Sequence, residues 1–575
     1  MTSQSRFPLL AAAVVAATVS VIRLTGQTAQ VQAADLVLRG GRVVTLDDRT
    51  PEAQGLAARG DTIVAIGSDA DIARYVGPST QVIDLGGQLA IPGFIEGHGH
   101  FTGIGNNRIN LDLMGTKSWD DILRLVAQAV ANAKPGQWIY GRGWHQEKWT
   151  QRPDPNVEGF PTHESLDKVS PNNPIVLTHA SGHASFVNAK AMELSGITPG
   201  RANPSGGEIL KDTSGNPTGL LREAASALVK TGAGEPTPTA AEIEARGRRV
   251  LELADQEVIS KGITSFEDAG SDFGVIDRMK RMIDEGRLHV RLWVMASSNA
   301  SLAANLDRYR LIGYDNNRLT VRAIKAYMDG ALGSRGAWLL EPYADKPESS
   351  GLNVTPIESL KTIAQLAIDH NFQLCIHAIG DRANREVLNI FETTFATNNK
   401  NGKDLRWRIE HAQHLSAADI PRFGQLGVIA SMQAIHCTSD AVFVPARLGD
   451  RRAEEGAYVW QKLMKSGAVV TNGTDAPVED VDPIPNYYAA VTRKLADGHV
   501  FYGDQRMSRM EALKAYTLQN AFAAFEEHIK GSLSVGKLAD VTVLSKDITR
   551  VPDEEIKQAK VVYTIVGAKV VYTGR

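Results

Sequence analysis

Short runs of alternating apolar and polar residues, closed by Gly and Asp, begin after residue 34 and return at the C-terminus. They read DLVLRGGRVVTLDD, DTIVAIGS and TQVIDLGGQLA early, and ADVTVLSKD and VVYTIVGAKVVYTG late. A period of two marks strands with one buried face. Neither group has enough strands to cover its apolar face, so residues 35–90 and 535–575 are expected to combine into one β-sandwich. Between them lie eight apolar runs, near 93–98, 262–267, 290–296, 321–327, 373–377, 406–411, 428–433 and 468–474, each followed by helical material. Such alternation predicts a parallel sheet, and eight units suit a closed (β/α)8 barrel over residues 91–534. The clearest unit is FQLCIHAIGDRANREVLNIFETTF, whose helix places Ala383, Val387, Leu388 and Phe391 at helical spacing. In the next unit Ser416 is expected to cap a helix that stops at Gly427. Residues 110–260, rich in Pro turns, break the alternation and read as an insertion after the first barrel strand that overhangs the mouth.

The N-terminus follows a different pattern. Met1–Arg6 is short and carries one Arg, Phe7–Ile22 is almost uninterruptedly apolar, and Val31-Gln32-Ala33-Ala34 supplies small residues for cleavage. This is the layout of a secretory signal over residues 1–33, and the expected location is periplasmic or secreted. An uncleaved anchor is the rival, but the run falls short of the ~20 residues a spanning helix needs. Export would permit a disulfide. Cys375 is expected on a strand and Cys437 in a loop, and two separate thiols are expected.

Composition narrows the partners. The 575 residues carry 65 acidic and 62 basic side chains without long runs, for a net charge of -3. That gives no basic face for nucleic acid. A small-molecule substrate is expected, with no stable membrane partner after signal cleavage; a homodimer is left open.

Candidate chemistry lies at the ends of the barrel runs. His98 and His100 close the first run, and alternate strand residues point to one side. Lys325 lies in the fourth, His377 ends the fifth, His411 the sixth, and Asp475 follows the eighth. A barrel gathers such residues at one mouth, so these six predict a centre for divalent metal. Lys325 shares strand parity with Ala323 and Tyr327 and faces the interior. An ammonium there would be repelled, since unit charges 4 Å apart interact by ~4 kcal/mol at an effective dielectric of ~20. Two readings follow: a carbamate on Lys325 bridging two ions, or a cationic Lys325 beside one ion. Asp475 is placed to take a proton from water and pass it to a leaving amine; a helix cap before Ala-Pro is its other reading.

PGFIEGHGH, the internal Lys325, CIHAIGDRAN, RIEHAQ and TNGTDAPV resemble the amidohydrolase superfamily. GRGWHQEKW, SGHASFVNAKAMELSGI, SGNPTGLLREAA and KAYMDGALGSRGAWL are similar to its YtcJ-like branch, which includes N-substituted formamide deformylases. The resemblance spans about residues 35–575 and implies a distorted TIM barrel with a composite β-sandwich, zinc or a similar ion, and hydrolysis of an amide-type C–N bond. Carried over by position, it implies His98 and His100 as ligands of a first metal, His377 and His411 of a second, a carboxylated Lys325 as bridge, and Asp475 as catalytic aspartate. His414 is a spare histidine, and His145 stands where many relatives carry an acid. On the substrate side, His183, Trp144 and His145 are candidates to line a lid. Arg335 is a candidate to grip a carboxylate or carbonyl, or to pair with Asp329. The expected enzyme is a metal-dependent amidohydrolase using hydroxide held between two divalent cations. The alternatives are a mononuclear deaminase or other non-amidase reaction on the same fold, and a silent periplasmic binding protein.

Overall fold

The computed structural model describes residues 31–574, so the signal-like run up to residue 30 lies outside the described residues. The eight expected runs form parallel strands in chain order. They are β1 (Phe94–Gly99), β2 (Ile263–Ser271), β3 (Arg291–Ser297), β4 (Leu319–Tyr327), β5 (Gln373–Ala378), β6 (Arg408–His411), β7 (Ile429–Met432) and β8 (Val470–Asn472). Most of their residues are buried, as a parallel sheet covered on both faces requires. Register aligns the chemistry: Tyr327 pairs with His377, and Ala378 with His411.

The barrel is distorted where it closes. No ladder pairs β8 with β1 among the described residues. The Asn520 side chain and isolated backbone hydrogen bonds join the seam instead. Asn520 Nδ2 donates to the Ile95 carbonyl at 2.6 Å and the Asn472 carbonyl at 2.8 Å. Past the end of β8, the Asp475 amide donates to the His98 carbonyl at 2.7 Å. Gly97 makes this approach feasible, because a Cβ there would lie 2.5 Å from Asn520 Oδ1. Ala269, Trp293, Met295, Ala323 and Cys375 pack together inside the barrel. Lys325 and His377, two residues further along their strands, therefore face the same interior.

Both termini build the β-sandwich. One sheet holds Leu36–Arg39, Gly55–Arg59, Thr62–Gly67 and Gln81–Asp84. The other joins Arg42–Val44, Glu52–Ala53 and Leu89–Pro92 to the C-terminal strands Val541–Leu544, Val561–Val566 and Lys569–Thr573. Leu36, Leu38 and Leu56 meet Val541, Val543 and Ile565 in their common core.

The segment after β1 has more order than its Pro-rich turns suggested. Leu111–Asp112, Ile139–Trp144, Ile175–His179, Ala184–Val187, Pro217–Glu223 and Gly207–Lys211 form a six-stranded mixed sheet with its own apolar clusters. It ends earlier than residue 260. The helix Ala240–Ser260, opened by a Thr239–Glu242 capping box, buries Leu251, Ala254, Val258 and Ile259 in the main barrel cluster. Ser416 caps no helix: the helix is Ile420–Leu426 after Asp419, and Ser416 Oγ accepts from Arg385 at 3.2 Å. Gly427, at φ 69°, does end it. Both cysteines are free and buried, and Cys437 lies on the helix Ala434–Asp440 rather than in a loop. No helix among the described residues is long and apolar enough to cross a membrane.

Candidate active site

The strand ends bring the six candidate residues together. His100 Nε2 lies 3.2 Å, and His98 Nε2 3.6 Å, from Asp475 Oδ1; His411 Nδ1 lies 3.9 Å from Asp475 Oδ2. Lys325 Nζ stands 3.2 Å from His98 Nε2. The His377 ring lies 4.4 Å from the His411 ring, centroid to centroid. Backbone strain helps aim two of them: His411 has φ 76° and Asp475 φ 57°. On β6, Glu410 already faces inward, so alternation would turn His411 outward. The positive φ turns it back into the mouth. Such conformations cost about 1–3 kcal/mol and cluster at functional sites.

A second layer fixes these groups. Glu410 accepts from His98 Nδ1 and pairs with Arg408, whose Nε lies 2.7 Å from Glu410 Oε1. Arg408 also pairs with Glu267 and donates to the Gly97 carbonyl at 2.7 Å and to Ser431 Oγ at 2.8 Å. His411 Nδ1 meets Gln433 Oε1 at 2.8 Å. None of these was singled out from sequence. Strand parity offered a signal for two, since Arg408 and Glu410 alternate on the inward face of RIEH; Gln433 left none.

Electrostatics sets the charge states. Burial pushes the His98 imidazole down to about 4 and moves His377 and His411 well below the ordinary histidine range. Burial would raise Asp475, but His100, His411 and His98 hold its carboxyl well below the usual range. Burial also lowers the Lys325 amine. Among the described residues, no carboxylate lies within 4.0 Å of its Nζ.

A small cavity of about 40 Å³ opens over this cluster. Its walls include His377, His411 and Asp475, with His145 and His183 from the insertion and Leu332, His436 and Phe443 from the barrel loops. His183 donates through Nδ1 to Glu223 Oε2 at 2.7 Å and faces the His377 ring. His145 stacks on Phe443 with centroids 5.3 Å apart. Three other substrate-side expectations are corrected. Trp144 is fully buried within the insertion, its Nε1 donating to the Leu177 carbonyl at 2.9 Å. Asp329 accepts from the amides of Ile379, Gly380 and Trp338 at 2.8–3.0 Å and so braces the start of the helix Asp381–Thr397, with its Oδ1 also 3.6 Å from His377 Nε2. Arg335 pairs with Asp345 at 2.9 Å rather than with Asp329. None of the three lines the cavity. His414 packs on Tyr458 and stays outside it as well.

The donor set fits a divalent cation. Neutral imidazoles and an ionised carboxylate are the metal-binding forms. His377 Nε2 and Asp475 Oδ1 are buried without a hydrogen-bond partner. Ligand atoms of His98, His411 and Asp475 all lie within 4.8 Å of one another.

An α/β barrel with these donors at the C-terminal ends of its strands defines a metal-dependent hydrolase. The chain belongs to the amidohydrolase family, whose model matches residues 81–572. It is 34% identical over 559 residues to Protein LONG AFTER FAR-RED 3 of Arabidopsis thaliana, covering 94% of this chain and 92% of that protein. It is 29% identical to the putative amidohydrolase YtcJ of Bacillus subtilis, covering 93% and 99%. It is 26% identical to the N-substituted formamide deformylase of Arthrobacter pascens, covering 93% and 98%. Among solved structures, an uncharacterized metal-dependent hydrolase of Pyrococcus horikoshii superposes with a TM-score of 0.71 at 25% identity, covering 90% of this chain and 99% of that one. These likenesses place the chain in the YtcJ-like branch of the family.

Proposed function

We propose that this enzyme hydrolyses the C–N bond of a small N-acyl or N-formyl amide, with His98, His100, His377, His411, Asp475 and a carboxylated Lys325 holding two divalent cations, zinc in the first instance. When bound, such cations supply Lewis acidity, lowering the pKa of water toward neutrality and polarising a carbonyl. Asp475 carries the proposal: it is buried and held ionised, and its Oδ1, lacking a hydrogen-bond partner, faces the His98 and His100 rings. It takes the proton from the attacking water and delivers it to the leaving nitrogen. His183, anchored through Nδ1 by Glu223, keeps Nε2 to steady the substrate oxygen. His145 and Phe443 close the cavity wall and exclude bulk water. Burial disfavours the charged form of the Lys325 amine, and no carboxylate pairs with it among the described residues, which supports its addition to carbon dioxide. The relative named as a formamide deformylase supports a C–N substrate. The N-terminal run supports export, and N-terminal sequencing of secreted protein tests it.

The test is Asp475→Asn, which is expected to retain bound metal while kcat on a formamide and acetamide panel falls at least about a thousandfold. Retained turnover refutes the role of Asp475. Absence of wild-type turnover on all C–N substrates refutes the reaction class. A one-metal reading has its own support in the compact trio His98, His411 and Asp475, the one such group among the described residues. It predicts one equivalent of metal and an unmodified Lys325, both read by elemental analysis and intact-peptide mass.

A further inference from the structure

Beside His411, the cavity has polar lining that the proposed reaction does not use. The helix Ala434–Asp440, which follows β7, presents His436 and, one turn later, Asp440 to the cavity. His436 is 4% exposed, and its Nε2 is buried with no hydrogen-bond partner. Its Nδ1 accepts from Gln413 Nε2 at 3.0 Å, which leaves the ring proton on Nε2. Asp440 is engaged through Oδ2 by the Tyr458 hydroxyl at 2.7 Å. The His436 ring lies parallel to the His411 ring, 19° between planes and 6.4 Å between centroids. Leu332, Phe443 and Val478 supply the apolar part of the lining. A buried N–H donor left unsatisfied costs about 1–3 kcal/mol, and this one borders a cavity from which an acceptor can reach it.

We propose that His436 is a specificity-determining residue whose Nε2–H receives a hydrogen-bond-accepting oxygen, a carbonyl or carboxylate, on a substituent of the substrate other than the scissile amide. The substrate class is then an amide whose flat apolar body lies against Phe443 and Leu332 and carries a second acceptor oxygen. Gln413 is the positioning residue, because it sets the tautomer of His436. A site built to hydrogen-bond a substrate group rejects an analogue lacking it far more strongly than an apolar pocket does.

The inference rests on the amide-hydrolase reading, and the test separates the two. Wild-type, His436→Leu and His436→Gln holoenzymes are assayed on paired N-aryl formamides of equal size, one with a ring acetyl group and one with an isopropyl group. The wild type is expected to favour the acetyl compound in kcat/KM by at least tenfold, chiefly through KM. His436→Leu is expected to erase that preference, with the loss in kcat/KM falling at least tenfold more heavily on the acetyl compound, while keeping the metal content. His436→Gln, whose amide N–H reaches a similar point, is expected to restore most of it. Calorimetric titration of the acetyl-bearing aniline product supplies a binding readout independent of turnover, with a matching tenfold loss in His436→Leu. Equal kcat/KM for both compounds in the wild type, or an equal loss on both in His436→Leu, overturns the inference and leaves the reaction intact. Failure of the wild type to hydrolyse either compound or any other C–N substrate overturns the reading beneath it.

Discussion

Replacing Glu410 by Gln keeps the side-chain shape but halves its capacity to accept hydrogen bonds. Glu410 serves two neighbours at once: His98 Nδ1 on one side and Arg408 on the other, with Arg408 Nε 2.7 Å from Oε1 and Nη2 3.2 Å from Oε2. An amide offers one accepting oxygen and one NH2 group. If the oxygen takes His98, the NH2 faces the Arg408 guanidinium; if it turns to Arg408, the NH2 faces the His98 Nδ1 proton. With the oxygen at the Oε2 position the bonds to His98 Nδ1 and Arg408 Nη2 survive, but the buried carboxylate charge they face is lost and the NH2 opposes Arg408 Nε, a cost of about 1–3 kcal/mol. Loss of an outer partner of a metal-binding histidine lowers affinity about 10–100-fold, or about 1.4–2.8 kcal/mol, and the two figures agree. The assay is zinc titration of chelator-stripped protein against a chromophoric competitor, with circular dichroism to follow the fold. The expected outcome is a Kd raised 10–100-fold with unchanged secondary structure. A Kd within twofold of wild type would refute the role given to Glu410, and with it the assignment of His98 as a ligand that Glu410 orients.

Other parts of the molecule are open to equally direct tests. Lys325→Ala should lose at least about a hundredfold in kcat, with partial recovery when a short carboxylate such as acetate fills the gap; no recovery alongside retained metal would count against a bridging carbamate. Asn520→Ala strips the donor shared by the Ile95 and Asn472 carbonyls and should lower stability by about 2–4 kcal/mol, seen as faster amide exchange in β1 and β8. Glu158 joins the insertion to the loop after β4: burial raises its pKa, but Arg222 and Lys346 more than offset this and bring it down to about 2. A lowered carboxyl pKa stabilises the fold above its unfolded value of about 4.5, and that contribution fades as pH falls toward about 2. Glu158→Gln should therefore lower Tm at pH 7 by an amount equivalent to about 1–2 kcal/mol after solvent screening, and the gap should close between about pH 4.5 and pH 2.

Much of the site was legible because a parallel barrel turns a linear pattern into geometry. Lys325 and His377 share an inward parity with small or apolar neighbours such as Ala323 and Cys375, so counting by two along each run puts them on the interior face. Trp144, Asp329 and Arg335 were misread for one common reason. Each has two physically sound uses, and burial or pairing decides between them: Trp144 went to the core of the insertion, Asp329 to three backbone amides, and Arg335 to Asp345. His436 left no trace in sequence because its meaning lies in what its Nε2 lacks.

The chain alone fixed the number and order of the barrel strands, the shared sandwich and the residues at the strand ends, since these depend on local periodicity and on which face must be buried. The tertiary structure decided how the barrel closes through Asn520, how the insertion folds into its own sheet, and which polar groups line the cavity. Those outcomes depend on partners hundreds of residues apart, and the side chains that satisfy a buried donor or close a seam carry no periodicity by which sequence could announce them.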